Sequence, residues 1–193
     1  MRDRTADKGK WIPEQEYDEI TKKIPILGID VLPLKPGTDN MVGLMLRDTY
    51  WRLRRWCLVG IGVQHGEPIV TAIQRAFHWS LGDGVSLDLS TLQLRDVVEY
   101  FPEPDTGEFF DPRKHAVALT YTCIMTGRPE PQGKAIDFKW FARDALPESN
   151  LIGFGQGQLL PRLLNSLYQD TQSQTTTEES SSLHDRQAGA HSK

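Results

Sequence analysis

Residues 26–34 are almost continuously aliphatic and β-branched and run into Pro33 and the Pro36-Gly37 pair, which predicts a strand closed by a turn. Residues 42–47 predict a second strand, hairpin-like with the first. A short apolar run at 56–59 predicts a third, followed by a loop carrying Gly60, Gly62 and Gly66. A helix then opens at Glu67 and Pro68, because proline is tolerated in a first turn and a carboxylate there complements the helix dipole. Ile69, Ile73, Ala76, Phe77 and Ser80 share one face of that helix, leaving Gln74, Arg75 and His78 toward solvent or a cleft. Gly82-Asp83-Gly84 stops it. Further strands are predicted at 92–101, 115–125 and 135–141. The second of these is the clearest and is expected at the centre of the sheet, and the third alternates Ile136, Phe138 and Trp140 against Asp137 and Lys139. Helices are predicted at 11–20, plugging one side of the sheet, and at 157–168, with Leu160, Leu163, Leu164 and Leu167 on one stripe. Strands mixed with helices on opposite sides of one sheet make the class α/β.

The polarity of the two ends sets the domain limits. Residues 1–10 are charged and expected to be flexible, 11–168 carry the ordered pattern, and 169–193 hold Gln, Thr, Ser, Glu and His with too little apolar surface to offset their ordering entropy. The ordered part is long enough for one domain with a sizeable core. A net charge of −4 with 25% charged residues argues against a nucleic-acid binder and a membrane-surface protein. Cys57 and Cys123 lie inside apolar strand patterns, where cysteine acts as a small hydrophobe. With no apolar leader or membrane-length run, a soluble, cytoplasmic protein in a reducing compartment is the expectation.

Candidate chemistry gathers in three places. Residues 50–55 interleave aromatic side chains with Arg52, Arg54 and Arg55, and guanidinium forks fit phosphate oxygens, although such a loop is more often merely solvated. Glu99, Glu103, Asp105, Glu108 and Asp111 are the one concentration of acids able to offer oxygen ligands to a hard cation. His65, His78 and His115 have no partner at metal-site spacing and read as bystanders.

The strand, glycine loop and helix around Gly60, Gly62, Gly66, Glu67, Arg75 and Gly82 resemble the Nudix hydrolase box, G-x5-E-x7-R-E-U-x-E-E-x-G-U. Glu67, Arg75 and Gly82 fall at the box spacings. Ile61 stands at the first glycine position, and Ala76, Trp79 and Ser80 stand where the box has carboxylates. The region 25–147 is similar in particular to the GDP-mannose mannosyl hydrolase family, and the helix to a group of Nudix-like bacterial proteins with comparable alterations. The resemblance implies a Nudix-like α/β/α sandwich with a mixed central sheet. It implies Glu67 and Arg75 as the catalytic pair, Arg47 on a substrate diphosphate, and the Gly60 carbonyl with Glu67 as ligands of Mg2+ or Mn2+. Arg52, Gly62 and Gly66 join Arg47 as expected substrate contacts. Two positions depart from that family: Ser80 replaces a metal-binding Glu and Ala135 a general-base His. Glu67 therefore has a second reading, the better supported of the two, as a structural carboxylate paired with Arg75.

Two functions follow. The first is a divergent Nudix-type hydrolase of a nucleoside diphosphate linked to another moiety, such as a nucleotide sugar, with metal completed by acids of the 99–111 stretch. The alternative is a non-catalytic Nudix-fold module that binds a nucleotide derivative or a protein. The expected partners are a nucleoside diphosphate derivative and a second copy of the chain, with no nucleic acid and no membrane.

Overall fold

The computed structural model describes residues 12–38, 40–50 and 52–169. The expected flexible segment 1–10, Trp11 and the polar tail beyond Gln169 lie outside the described residues. Residues up to Gly157 form one compact unit and those from Gln158 another.

In the first unit the elements run α1 (Glu14–Thr21), β1 (Ile26–Leu34), β2 (Met41–Asp48), β3 (Arg54–Cys57), β4 (Val59–Gly62), α2 (Ile69–Leu81), β5 (Val85–Phe101), β6 (Phe109–Phe110), β7 (Ala116–Gly127) and β8 (Ala135–Ala142). A helix at 156–169, α3, carries the chain into the second unit, where Leu159, Leu160, Leu163 and Leu167 are buried. This is the expected mixed α/β architecture. No helix among the described residues is long and apolar enough to cross a membrane.

The sheet forks. On one limb β1 lies parallel to β7 along its whole length, β7 pairs antiparallel with β5, and β4 pairs antiparallel with β1. On the other, β2 pairs antiparallel with β8 and with β3. The predicted hairpin of β1 with β2 is reduced to one register pair, Leu34 with Val42. The predicted strand at 56–59 is likewise two strands: β3 belongs to one limb and β4 to the other, with buried Leu58 between them. A strand that changes partners leaves a backbone amide without a ladder bond, and a buried orphan amide is costly. Here Leu58 N–H donates to Gln156 Oε1 at 2.9 Å.

α2 packs through Ala72, Ile73, Ala76, Phe77 and Leu81 against a core that includes Ile29, Val31, Met45 and Met125. Ser80 is only half-buried, and the face is completed by Ala72 and Leu81 instead. β7 is central, as its pattern predicts. β5 begins at Val85 rather than at 92. α1 does not plug the sheet: Thr21 is its one buried residue, and Tyr17 meets Lys114 Nζ at 3.1 Å. Cys57 and Cys123 are both free thiols.

Candidate ligand site

Pro68 caps α2, so Glu67 sits in the turn before the helix rather than in its first turn. Gly66 takes a φ of 72°, which favours glycine, and Glu67 N–H donates to the Gln64 carbonyl at 3.1 Å. The turn thereby folds back over the helix and brings Glu67 onto Arg75, a contact that two helical turns of separation would forbid within the helix. Arg75 Nε donates to Glu67 Oε1 and Arg75 Nη2 to Glu67 Oε2, both at 2.7 Å. Nη2 also donates to the Gly62 carbonyl at 2.9 Å, and Gln64 N–H donates to Glu67 Oε2 at 3.0 Å. The guanidinium lies 5.0 Å from the centre of the Trp79 ring. With the side chains of Arg75 and Glu67 only 11% and 6% exposed, this is a buried bidentate pair. It ties together three of the expected site residues, Glu67, Arg75 and Gly62.

Gly60 lies on β4 rather than in a loop, opposite Asp30 of β1. A Cβ there would collide with Asp30 Oδ1 and lie 3.0 Å from the Ile29 carbonyl, so the glycine makes room for a carboxylate. Asp30 Oδ2 accepts from Tyr100 Oη at 3.1 Å and from Gln156 Nε2 at 3.3 Å. The residue as a whole keeps some exposure, yet burial around the carboxyl pushes its pKa up to about 6 against the two hydrogen bonds and the charges of Arg47 and Lys114. Burial likewise pushes the nearby Cys57 thiol up to about 12, leaving it a protonated core group. Gln156 thus serves both the fork amide at Leu58 and Asp30.

Arg47, on β2, stands directly opposite Arg55 of β3, so the two side chains leave the same face of the sheet. Neither has a carboxylate partner among the described residues. Arg47 Cζ lies 5.5 Å from the centre of the Phe154 ring. Arg113 approaches the same ring at 5.2 Å, held by a bidentate pair with buried Asp111 at 2.8 and 2.6 Å. Arg52 is exposed in the turn joining β2 to β3, with a φ of 58°. It belongs to neither cluster.

Among the described residues, the side chains at the box positions do not fit a divalent cation. Ala76 is fully buried, Trp79 and Ser80 offer no carboxylate, and both Glu67 oxygens are engaged. Of the 99–111 acids, Asp111 is taken by Arg113 and Glu99 lies 3.9 Å from His115. No group of three or more His, Cys, Asp or Glu side chains among the described residues is arranged to hold a metal ion. The histidines have structural surroundings too: His78 pairs with Asp83, and His115 stacks on Phe101 at 4.6 Å.

Sequence reasoning missed Asp30, Tyr100, Gln156 and Phe154. Asp30 did leave a signal, a single acid inside an apolar strand. The other three come together only through the fold.

A forked mixed sheet with helices packed on it is the Nudix-like architecture, and similar solved structures share this fold. A protein from Jonesia denitrificans described as a possible asymmetric diadenosine tetraphosphate hydrolase is 29% identical, with a TM-score of 0.67 over 75% of this chain and 96% of its own. A MutT NUDIX hydrolase from Burkholderia pseudomallei is 25% identical, with a TM-score of 0.52 over 65% of this chain and 88% of its own. The NUDIX domain of NrtR from Shewanella oneidensis, complexed with ADP ribose, shares the fold at 16% identity and a TM-score of 0.53, over 86% of this chain and 99% of its own. The chain belongs to the family described as a domain of unknown function (DUF4916), which it matches over residues 7–165. No curated protein matches it significantly.

Proposed function

We propose that this chain is a divergent Nudix-type domain that binds a nucleoside diphosphate linked to another moiety, and that its cleft serves recognition rather than metal-assisted hydrolysis. The observation that carries this reading is how charge is satisfied. Glu67 is engaged by Arg75 and the Gln64 amide, while Arg47 and Arg55 have no carboxylate partner among the described residues. Hydrolysis of a diphosphate needs a cation to offset oxyanion charge and a base or bound hydroxide to attack. Ala76, Trp79 and Ser80 supply neither. Losing such a clamp removes several kcal/mol of transition-state stabilisation. It leaves intact the attraction of guanidinium forks for phosphate oxygens. The compounds named for two similar structures support the ligand class, since diadenosine tetraphosphate and ADP ribose both carry a nucleoside on linked phosphates that lead to a second group.

Retained hydrolysis is the second reading, and Asp30 is what favours it. A carboxyl with a pKa near 6 is ionised at neutral pH and basic enough for a general base. The two readings separate in one experiment. Nucleotide sugars, ADP-ribose and dinucleoside polyphosphates are incubated with the protein and Mg2+ or Mn2+, following phosphate and nucleotide release alongside the thermal midpoint. The binding reading predicts a ligand-induced rise in midpoint and no release above the protein-free control. Metal-dependent release that is lost in Asp30→Asn would establish the hydrolase.

A further inference from the structure

Between the turn after β2 and the 150–155 segment lies a cavity of about 280 Å³, lined by Tyr50, Phe110 and Phe154 with Arg55 and Asn150. We propose that it is the subsite for the nucleobase of the bound nucleoside diphosphate, with Arg55 and Arg47 holding the phosphates at its rim. This inference rests on the function proposed above and names which part of the molecule takes which part of the ligand.

Size comes first. Whole-ligand pockets run from about 300 to 1,000 Å³, so this cavity admits one ring system and not an entire dinucleotide. Its walls suit a flat guest. Tyr50 meets Phe154 at 5.9 Å and Phe110 at 6.4 Å between ring centres, both edge to face. At these distances the three rings are in contact and form one continuous aromatic wall of the cavity, and stacking on such a wall accepts any base. Asn150 adds an amide that can both donate to and accept from a base edge.

Charge points to what is attached to the ring. Arg55 lines the cavity, and Arg47 stands opposite it in register and over the Phe154 ring. Like charges directly opposed across two strands destabilise the pair, and an anion between them reverses the sign of that interaction. A phosphate group on the ring-bearing ligand fits this position.

Backbone strain supplies an independent indication. Phe154 has a φ of 58°, a conformation in which a bulky aromatic residue is a genuine outlier. It is fixed there by Gly153 N–H donating to the Trp56 carbonyl at 2.8 Å and by the bridge between Trp56 and Ile152. Strain of this kind persists where the surroundings over-determine it, and it concentrates at ligand clamps. Here it aims a ring at the cavity between two guanidinium groups.

The test is calorimetric titration of the full chain with ADP, GDP, UDP, CDP and inorganic pyrophosphate, in wild type and Phe154→Gly. Glycine removes the ring and accepts the positive φ. Phe154→Leu serves as a second variant, keeping apolar bulk without a ring. We expect at least one nucleoside diphosphate to bind wild type more tightly than pyrophosphate. Both variants should weaken that nucleotide about 5- to 150-fold, the fold-change for one stacked base, and weaken pyrophosphate by much less, through the lost support of the ring for Arg47. Arg55→Gln should weaken the nucleotide and pyrophosphate together. Wild-type nucleotide affinity in both Phe154 variants would overturn the base subsite while leaving the proposed function standing. No binding of any probe to wild type would overturn both.

Discussion

The loop-to-helix turn and the cavity at Phe154 each hold arginines, and they treat them in opposite ways. At the turn, Arg75 is buried and bonded to Glu67 and Gly62, so its charge is spent on holding the chain in shape. At the cavity, Arg47 and Arg55 are set side by side with no acid between them, beside a backbone in a strained conformation. The first arrangement is a scaffold, and the second is the one we propose an anion completes. The part of the chain that looks most like an active site in sequence is therefore the part whose arginine already has its counter-ion, although Arg75 Nη1 and Gln64 Nε2 are buried without a hydrogen-bond partner. The unsatisfied charges lie on the other limb of the fork.

Three substitutions measure that contrast, the largest effect first. Glu67→Ala leaves the Arg75 guanidinium buried without its counter-ion, and breaking such a pair costs about 3–5 kcal/mol. A urea titration should show the midpoint falling accordingly, and a loss under about 1 kcal/mol, typical of an exposed pair, would mean that the clamp is not structural.

Asp30 comes next. Its folded pKa lies above the unfolded value, so the native state holds an extra proton between about pH 4 and 6, and stability drops as pH rises through that window. Asp30→Asn removes the titration and keeps an acceptor for Tyr100 and Gln156. Its advantage over wild type should be absent near pH 4 and grow to about 3 kcal/mol by pH 7, read from thermal midpoints in matched buffers. A difference that is flat with pH would show that the carboxyl is not desolvated.

Arg55→Gln should have the smallest effect. Removing one of two opposed like charges should leave stability unchanged or raise it by about 0.2–1 kcal/mol. A clear loss would reveal a partner for Arg55 within the protein and weaken the distinction between the two regions.

Much of this was legible in the sequence because it depends on local pattern. β1, β7, β8 and α2 follow hydrophobic periodicity, and Glu67, Arg75 and Gly82 follow from motif spacing. What periodicity cannot carry is a change of partner. The run from Arg54 to Gly62 reads as one strand and a glycine loop, yet it is two strands on different limbs, joined at an amide that Gln156 satisfies from 98 residues away in sequence. The early start of β5 was hidden for a related reason. Asp88, Ser90 and Thr91 interrupt its pattern where the register with β7 shifts, and Thr91 Oγ1 accepts from Ile124 N–H at 2.9 Å. The cavity was half visible. The arginines and Tyr50 stand out between β2 and β3, whereas Phe154 looks like part of a glycine-rich connection until the Trp56–Ile152 bridge brings it beside them.

The central claim is that this site binds through arginine and aromatic groups without a box metal. Its most direct test is to titrate ADP-ribose into the protein twice, once in excess EDTA and once in millimolar Mg2+, and to analyse the ligand afterwards. The account predicts the same dissociation constant in both conditions and ADP-ribose recovered intact. Binding that appears only with Mg2+, or AMP among the products, would contradict it.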